Sequence, residues 1–168
     1  MKIILACEGQ TEVYLLENLI NRGYLHFGND LLLDKPIKLR QLKEIESIIN
    51  TLPIDEYIDI YRIGDTLKEK LSKKGFELRE KHIKEIKICT KTEIEILVII
   101  NENLLDEYEK NKNTIKPKQF IKQHIKNFDP KEYFDKHDMY PAICEYKRIK
   151  QHKKDEWCLK DLIDKFSK

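Results

Sequence analysis

Long apolar runs, paired cysteines and an excess of one charge are all missing from these 168 residues, and each absence excludes something. No apolar stretch is long enough to span a bilayer, and no leader of charged, apolar and small-residue segments opens the chain. The four cysteines, Cys7, Cys89, Cys144 and Cys158, have neither the spacing of a zinc site nor that of a redox motif. His137 and His152 lack partners at ligand spacing, which also speaks against zinc. With 32 Lys and Arg against 30 Asp and Glu, the net charge of +2 does not mark a nucleic-acid binder by itself; any positive field must be local. Internal repeats and low-complexity tracts are absent too. The expectation is a cytoplasmic protein with reduced thiols and no membrane partner, in which Cys7 and Cys89, each ending an apolar run, are small core residues.

What is present is a strong alternation of short elements. Residues 2–7 read as a buried strand, and Glu8-Gly9-Gln10-Thr11-Glu12 turns it into a helix over 12–22 that stops at Gly23. Ile37 and Leu39 suggest a short strand within 36–40. Leu42, Ile45, Ile48 and Ile49 fall at helical spacing over 41–51, closed by Pro53. Strands are expected over 57–63 and 84–89, with a charged helix or loop between them that breaks near Gly75. A long helix is expected over 93–109. Such alternation implies a parallel sheet with helices on both faces. Beyond residue 110 the strand signal stops, and Pro117, Pro130 and Pro141 punctuate helical pieces, the last near 143–165. The chain therefore divides into an α/β domain of three or four parallel strands over 1–110 and a helical extension over 111–168 packed on it.

Strand ends carry the chemistry. Glu8 follows the first strand, Asp65 follows the strand at 57–63, and Glu93 and Glu95 follow the strand at 84–89. In a parallel sheet these ends share one edge, where carboxylates repel unless a cation intervenes. Mg²⁺ or Mn²⁺ suits such a set, because both are hard, oxygen-seeking ions. Ordinary structural roles stand beside this one. First-turn acids complement the helix dipole, which accounts for Glu12. Thr92-x-x-Glu95 fits a capping box, as Thr90-x-x-Glu93 does one register earlier. Asp59, inside a strand, is either a buried polar partner or an outward edge residue.

The Glu8-Gly9-Gln10-Thr11-Glu12 segment after an apolar strand resembles the opening of TOPRIM-type (topoisomerase–primase) domains, most of all the branch found in OLD-family and related phage-defence nucleases. The resemblance implies a first-strand glutamate in acid–base or metal chemistry, here Glu8. It also implies an Asp-x-Asp pair for Mg²⁺ after a later strand, where Asp65 stands. Residues 63–67 read Ile-Gly-Asp-Thr-Leu, so only one acid of that pair is present, and Glu93 or Glu95 would have to supply the missing oxygen. The likeness covers about residues 1–100 in element order and residues 3–12 in motif.

Two basic stretches complete the picture. Lys147, Arg148, Lys150, His152, Lys153 and Lys154 crowd together near Tyr146 and Trp157, a composition that attracts a phosphate backbone and stacks on bases. The alternative is a solvated face offset by Asp155, Glu156 and Asp161, with Trp157 anchoring the helix to the core. Lys118, Lys122 and Lys126 form a second stripe at i, i+4 spacing. Two functions follow. One is a Mg²⁺- or Mn²⁺-dependent TOPRIM-like nuclease acting on DNA or RNA. The other is a non-catalytic TOPRIM-like module that binds a partner protein or nucleotide. Under either, a partner such as an ATPase would supply what a chain this small lacks.

Overall fold

In the computed structural model, which describes residues 1–65, 70–90, 94–149 and 157–163, four parallel strands organise the chain. They are β1 (Lys2–Cys7), β2 (Ile37–Lys38), β3 (Ile58–Gly64) and β4 (Ile83–Cys89), in the spatial order β2-β1-β3-β4. β1 and β3 run in register from Lys2 beside Ile58 to Cys7 beside Ile63, and β3 and β4 from Ile58 beside Ile83 to Gly64 beside Cys89. The expected α/β class, with a parallel sheet, flanking helices and a helical C-terminal third, is the one observed.

Both sheet faces are covered, and the central strand β1 accordingly reads as a nearly unbroken apolar run. Ile3, Leu5 and Cys7 point to one face with Tyr61, Ile63, Ile86 and Ile88. There they meet α1 (Gln10–Asn21) and α3 (Glu95–Asn101). Ile4 and Ala6 point the other way, with Ile58, Ile60 and Ile83. That second, smaller core is closed by Leu42 and Ile45 of a 3₁₀ turn, by Ile49 of the short α2 (Glu46–Ile49), and by Leu71 and Phe76.

Element ends follow local chemistry. α1 stops in a Schellman arrangement: Gly23 takes φ +68, its N–H donates to Ile20 O, and Tyr24 N–H reaches Leu19 O. The helix expected over 93–109 is two helices, α3 and α4 (Leu105–Asn111). Asn103, at φ +58, makes the same motif there, with its N–H on Ile100 O and Leu104 N–H on Ile99 O. Asn visits the left-handed region more readily than other non-glycine residues, so the break was encoded without a glycine. Pro117 and Pro130 occupy first-turn positions of α5 (Pro117–His124) and α6 (Pro130–Lys136), and Asp129 caps α6 through Glu132 N–H at 2.8 Å.

The C-terminal third shares the larger core. Phe120, Phe134, Met139, Ile143 and Tyr146 are buried against α1 and α3. Asn18, only 4% exposed, donates from Nδ2 to the carbonyls of Phe134 and His137 and so fixes α6 to α1. The helix expected near 143–165 is α7 (Tyr140–Ile149), followed after residue 156 by an extended segment and a 3₁₀ turn at Leu159–Leu162. Trp157 does not anchor this segment in the core. It is 44% exposed, and its backbone pairs with the sheet, its carbonyl accepting from Cys89 N–H at 2.9 Å. Cys158, Leu159, Leu162 and Ile163 are the buried residues there. Cys7 is buried as expected, whereas Cys89 is only half-buried.

Candidate functional site

The strand order places a topological switch between β1 and β3. The chain leaving β1 goes to β2 on one side, and the chain leaving β3 goes to β4 on the other. The crevice outside the carboxyl ends of two such strands is the standard ligand position in open α/β sheets. Glu8 and Asp65 stand at those two ends.

Hydrogen bonds carry the pairing past the strands themselves. Glu8 N–H donates to Ile63 O at 3.0 Å, and Thr90 N–H donates to Gly64 O at 3.0 Å. The Tyr146 hydroxyl of α7 donates to the carbonyl of buried Thr90, so the C-terminal third holds the end of β4 in place. The Glu8 side chain lies over Gly64 and accepts the backbone N–H of Asp65 on Oε2 at 3.0 Å.

Two glycines make the carboxylate placement feasible. A Cβ on Gly64 would stand 2.3 Å from Cδ and Oε2 of Glu8. A Cβ on Gly9, which precedes α1, would stand 2.7 Å from Oε2 of Glu12. Each glycine thus leaves a cradle that a glutamate side chain fills. Glu12 therefore folds back over Gly9 from the first turn of α1. Burial pushes the Glu12 carboxyl above the ordinary carboxylate range, and the charges of Glu95, Glu8 and Asp65 push it further the same way. These four acids come from the ends of β1 and β3 and the first turns of α1 and α3, and they share one electrostatic environment.

Of the residues singled out in the sequence, Glu8, Asp65 and Glu95 are brought to this edge, with Asp65 exposed and Glu8 and Glu95 half-buried. Glu93 lies outside the described residues, as does Thr92, so neither proposed capping box falls wholly within them. Glu12, read from the sequence as a helix-dipole acid, is the addition. Its signal was there: two glutamates four residues apart, with a glycine next to the first.

The donors at this edge are all carboxylate oxygens, the chemistry a hard divalent cation requires. Among the described residues, no three His, Cys, Asp or Glu side chains converge in a metal-holding group as the side chains stand. Mg²⁺ commonly takes one or two protein carboxylates and keeps several waters, so a closed protein cage is not needed for it.

The C-terminal basic stretch is less open than its composition implied. Lys147 pairs with Asp161 at 2.7 Å, and Arg148 with Glu145 at 2.5 Å. Lys150, His152, Lys153 and Lys154 lie outside the described residues. Lys118, Lys122 and Lys126 are exposed, on α5 and just beyond it. No helix among the described residues is long and apolar enough to cross a membrane.

Comparison with known proteins gives no relative: no family model, no curated protein and no solved structure matches the chain.

Proposed function

We propose that this chain is a Mg²⁺- or Mn²⁺-dependent, TOPRIM-like phosphodiesterase acting on nucleic acid, related in chemistry to phage-defence nucleases. The observation that carries this reading is geometric: Glu8 and Asp65 meet at the β1–β3 switch point, with Glu12 folded back over Gly9 beside them and its proton affinity raised by burial and by the charges of Glu95, Glu8 and Asp65. A carboxylate held among like charges gains affinity for a cation. A divalent ion bound there would activate water and neutralise the phosphate.

The chain's own groups have distinct tasks in this scheme. Glu8 and Glu12, seated over the two glycines, would bind the ion. Asp65 N–H fixes the orientation of the Glu8 carboxylate, and the Asp65 side chain, exposed at the crevice, would meet solvent or substrate. Glu95, and Glu93 beside it in sequence, would complete the oxygen shell. An ATPase-type partner would regulate access to nucleic acid.

A second reading has its own support. Residues 63–65 supply one acid rather than two, which favours a binding module that holds a partner protein or nucleotide without cutting. Incubation of the full chain with single- and double-stranded DNA and RNA, in Mn²⁺, Mg²⁺ or chelator, separates the two. Cleavage that needs the cation and vanishes in Glu8→Gln, with binding retained, supports the enzyme. Binding without cleavage under every condition supports the module.

A further inference from the structure

β4 is an edge strand, bridged on its outer side at Ile88 by Trp157. Beside the rest of it opens a cleft of about 760 Å³. Lys70, Lys73, Lys81, Lys84 and Lys87 line this cleft, against Asp59, Glu80 and Glu85. Glu85 is already neutralised by Arg62 at 2.7 Å, both side chains being nearly buried. Lys73 belongs to the wall, since its Nζ donates to the carbonyls of Glu80 and Ile83. Lys70, Lys81 and Lys84 are exposed. The cleft is therefore positive on balance.

At the amino end of β4 the cleft meets an aromatic. Tyr57 is 59% exposed although it is large, and its ring meets that of His82 edge-on at 4.7 Å between centroids. A positive groove with an aromatic at its end is the combination that proteins use for single-stranded nucleic acid: lysines follow the backbone and the ring stacks a base. The seven residues of β4 extend about 23 Å at ~3.3 Å per residue, the length of a short oligonucleotide. Lys87, at the other end, lies beside Arg62 in register, two residues before Gly64 and the acidic edge.

We infer that this β4 cleft is a docking groove for single-stranded nucleic acid, with phosphates on Lys70, Lys81 and Lys84 and a base on Tyr57. It deepens the nucleic-acid reading above, because a strand in the groove leads towards the carboxyl edge that carries Glu8 and Asp65. An acidic peptide would use the lysines without the ring, which sets the test apart from a purely electrostatic surface.

The experiment is fluorescence anisotropy of the full chain with labelled oligo-dT and oligo-U of about a dozen nucleotides, in chelator, across a salt series. Lys81→Gln with Lys84→Gln should weaken binding at least tenfold and lower the salt slope by about 1.4, since each single-strand phosphate contact contributes about 0.7. Tyr57→Ala should weaken binding by about 5- to 150-fold, the range of one base stack, and leave the salt slope unchanged, while Tyr57→Phe should restore the affinity. Lys118→Gln with Lys122→Gln, on α5, should change nothing. All these positions are exposed, so the fold is retained. Binding that ignores Tyr57, or is competed equally by an oligoglutamate of the same charge, would overturn the groove, as would an unaltered slope in the lysine variant. Because no metal is present, failure here leaves cation binding at the carboxyl edge to be judged by its own measurement.

Discussion

The backbone N–H of Asp65 donates to Oε2 of Glu8 at 3.0 Å, joining the carboxyl ends of two neighbouring strands that are 57 residues apart in sequence. Gly64 makes this contact sterically open, and its φ lies outside the left-handed region, so an alanine there would strain space and not backbone. Gly64→Ala should displace the Glu8 side chain and cost about 1–2 kcal/mol, the scale of a hydrogen bond to a charged acceptor that water partly replaces. The Asp65 amide proton should move upfield in the NMR spectrum as that bond is lost. A variant with wild-type stability and an unshifted Asp65 amide would show that the cradle is unnecessary.

Much of this edge was legible in the sequence. An apolar run of strand length ending in Glu8-Gly9, and a stretch rich in β-formers ending in Gly64-Asp65, place acids at strand ends once the alternation of elements implies a parallel sheet. Strand order was not legible, because periodicity says nothing of which strands are neighbours. The adjacency of β1 and β3, which puts Glu8 beside Asp65, comes from tertiary packing. Glu12 does stand in the first turn of α1, where an acid has a sufficient local explanation in the helix dipole. Its turn back over Gly9 depends on the neighbouring carboxyl edge. The break at Asn103 was missed for a similar reason: the apolar spacing continues across it, and an asparagine does the work more often given to glycine. Trp157, expected to anchor the last helix to the core, is largely exposed, whereas its smaller neighbours Cys158 and Leu159 are buried.

Asn18 ties the C-terminal third to the sheet layer, with Nδ2 donating to the carbonyls of Phe134 and His137. Asn18→Ala should cost about 1–3 kcal/mol, because it leaves a buried carbonyl without its donor. Chemical denaturation should show one transition at a lower midpoint, since α1 and the C-terminal helices share a core. A separate early transition would mean that the C-terminal helices unfold by themselves.

His124 joins α4 and α5, with Nδ1 on Phe120 O at 2.8 Å and Nε2 on Glu107 Oε1 at 3.0 Å. Both partners accept, so only the imidazolium satisfies them together. The Phe120 carbonyl first, and then Glu107, raise the affinity of the ring for a proton. A groove between α4 and α5 borders this pair, and its other lining residues, among them Asn111, Thr114, Gln119 and Gln123, are uncharged. A raised folded-state value means that the contribution is complete below the ordinary imidazole range and is lost as pH rises through His124's own titration. Thermal melts across pH should therefore show wild type and His124→Gln converging at alkaline pH and separating on the acid side, with the wild type the more stable. Parallel curves across the whole range would refute this.

The most direct measurement for the carboxyl edge is the melting temperature of the chain with and without millimolar Mg²⁺ or Mn²⁺, in wild type, Glu8→Gln and Glu12→Gln. An ion that binds only the folded state stabilises it by about 2.7 kcal/mol at a hundred times its dissociation constant. The account predicts a metal-dependent rise in the wild type that is lost in both variants. It also predicts that Glu12→Gln melts higher than wild type in chelator, because a carboxylate disfavoured by burial and by the charges of Glu95, Glu8 and Asp65 has been replaced by a neutral amide. A wild-type melting curve unchanged by either metal, or an equal rise in all three proteins, would contradict a cation site built on Glu8 and Glu12.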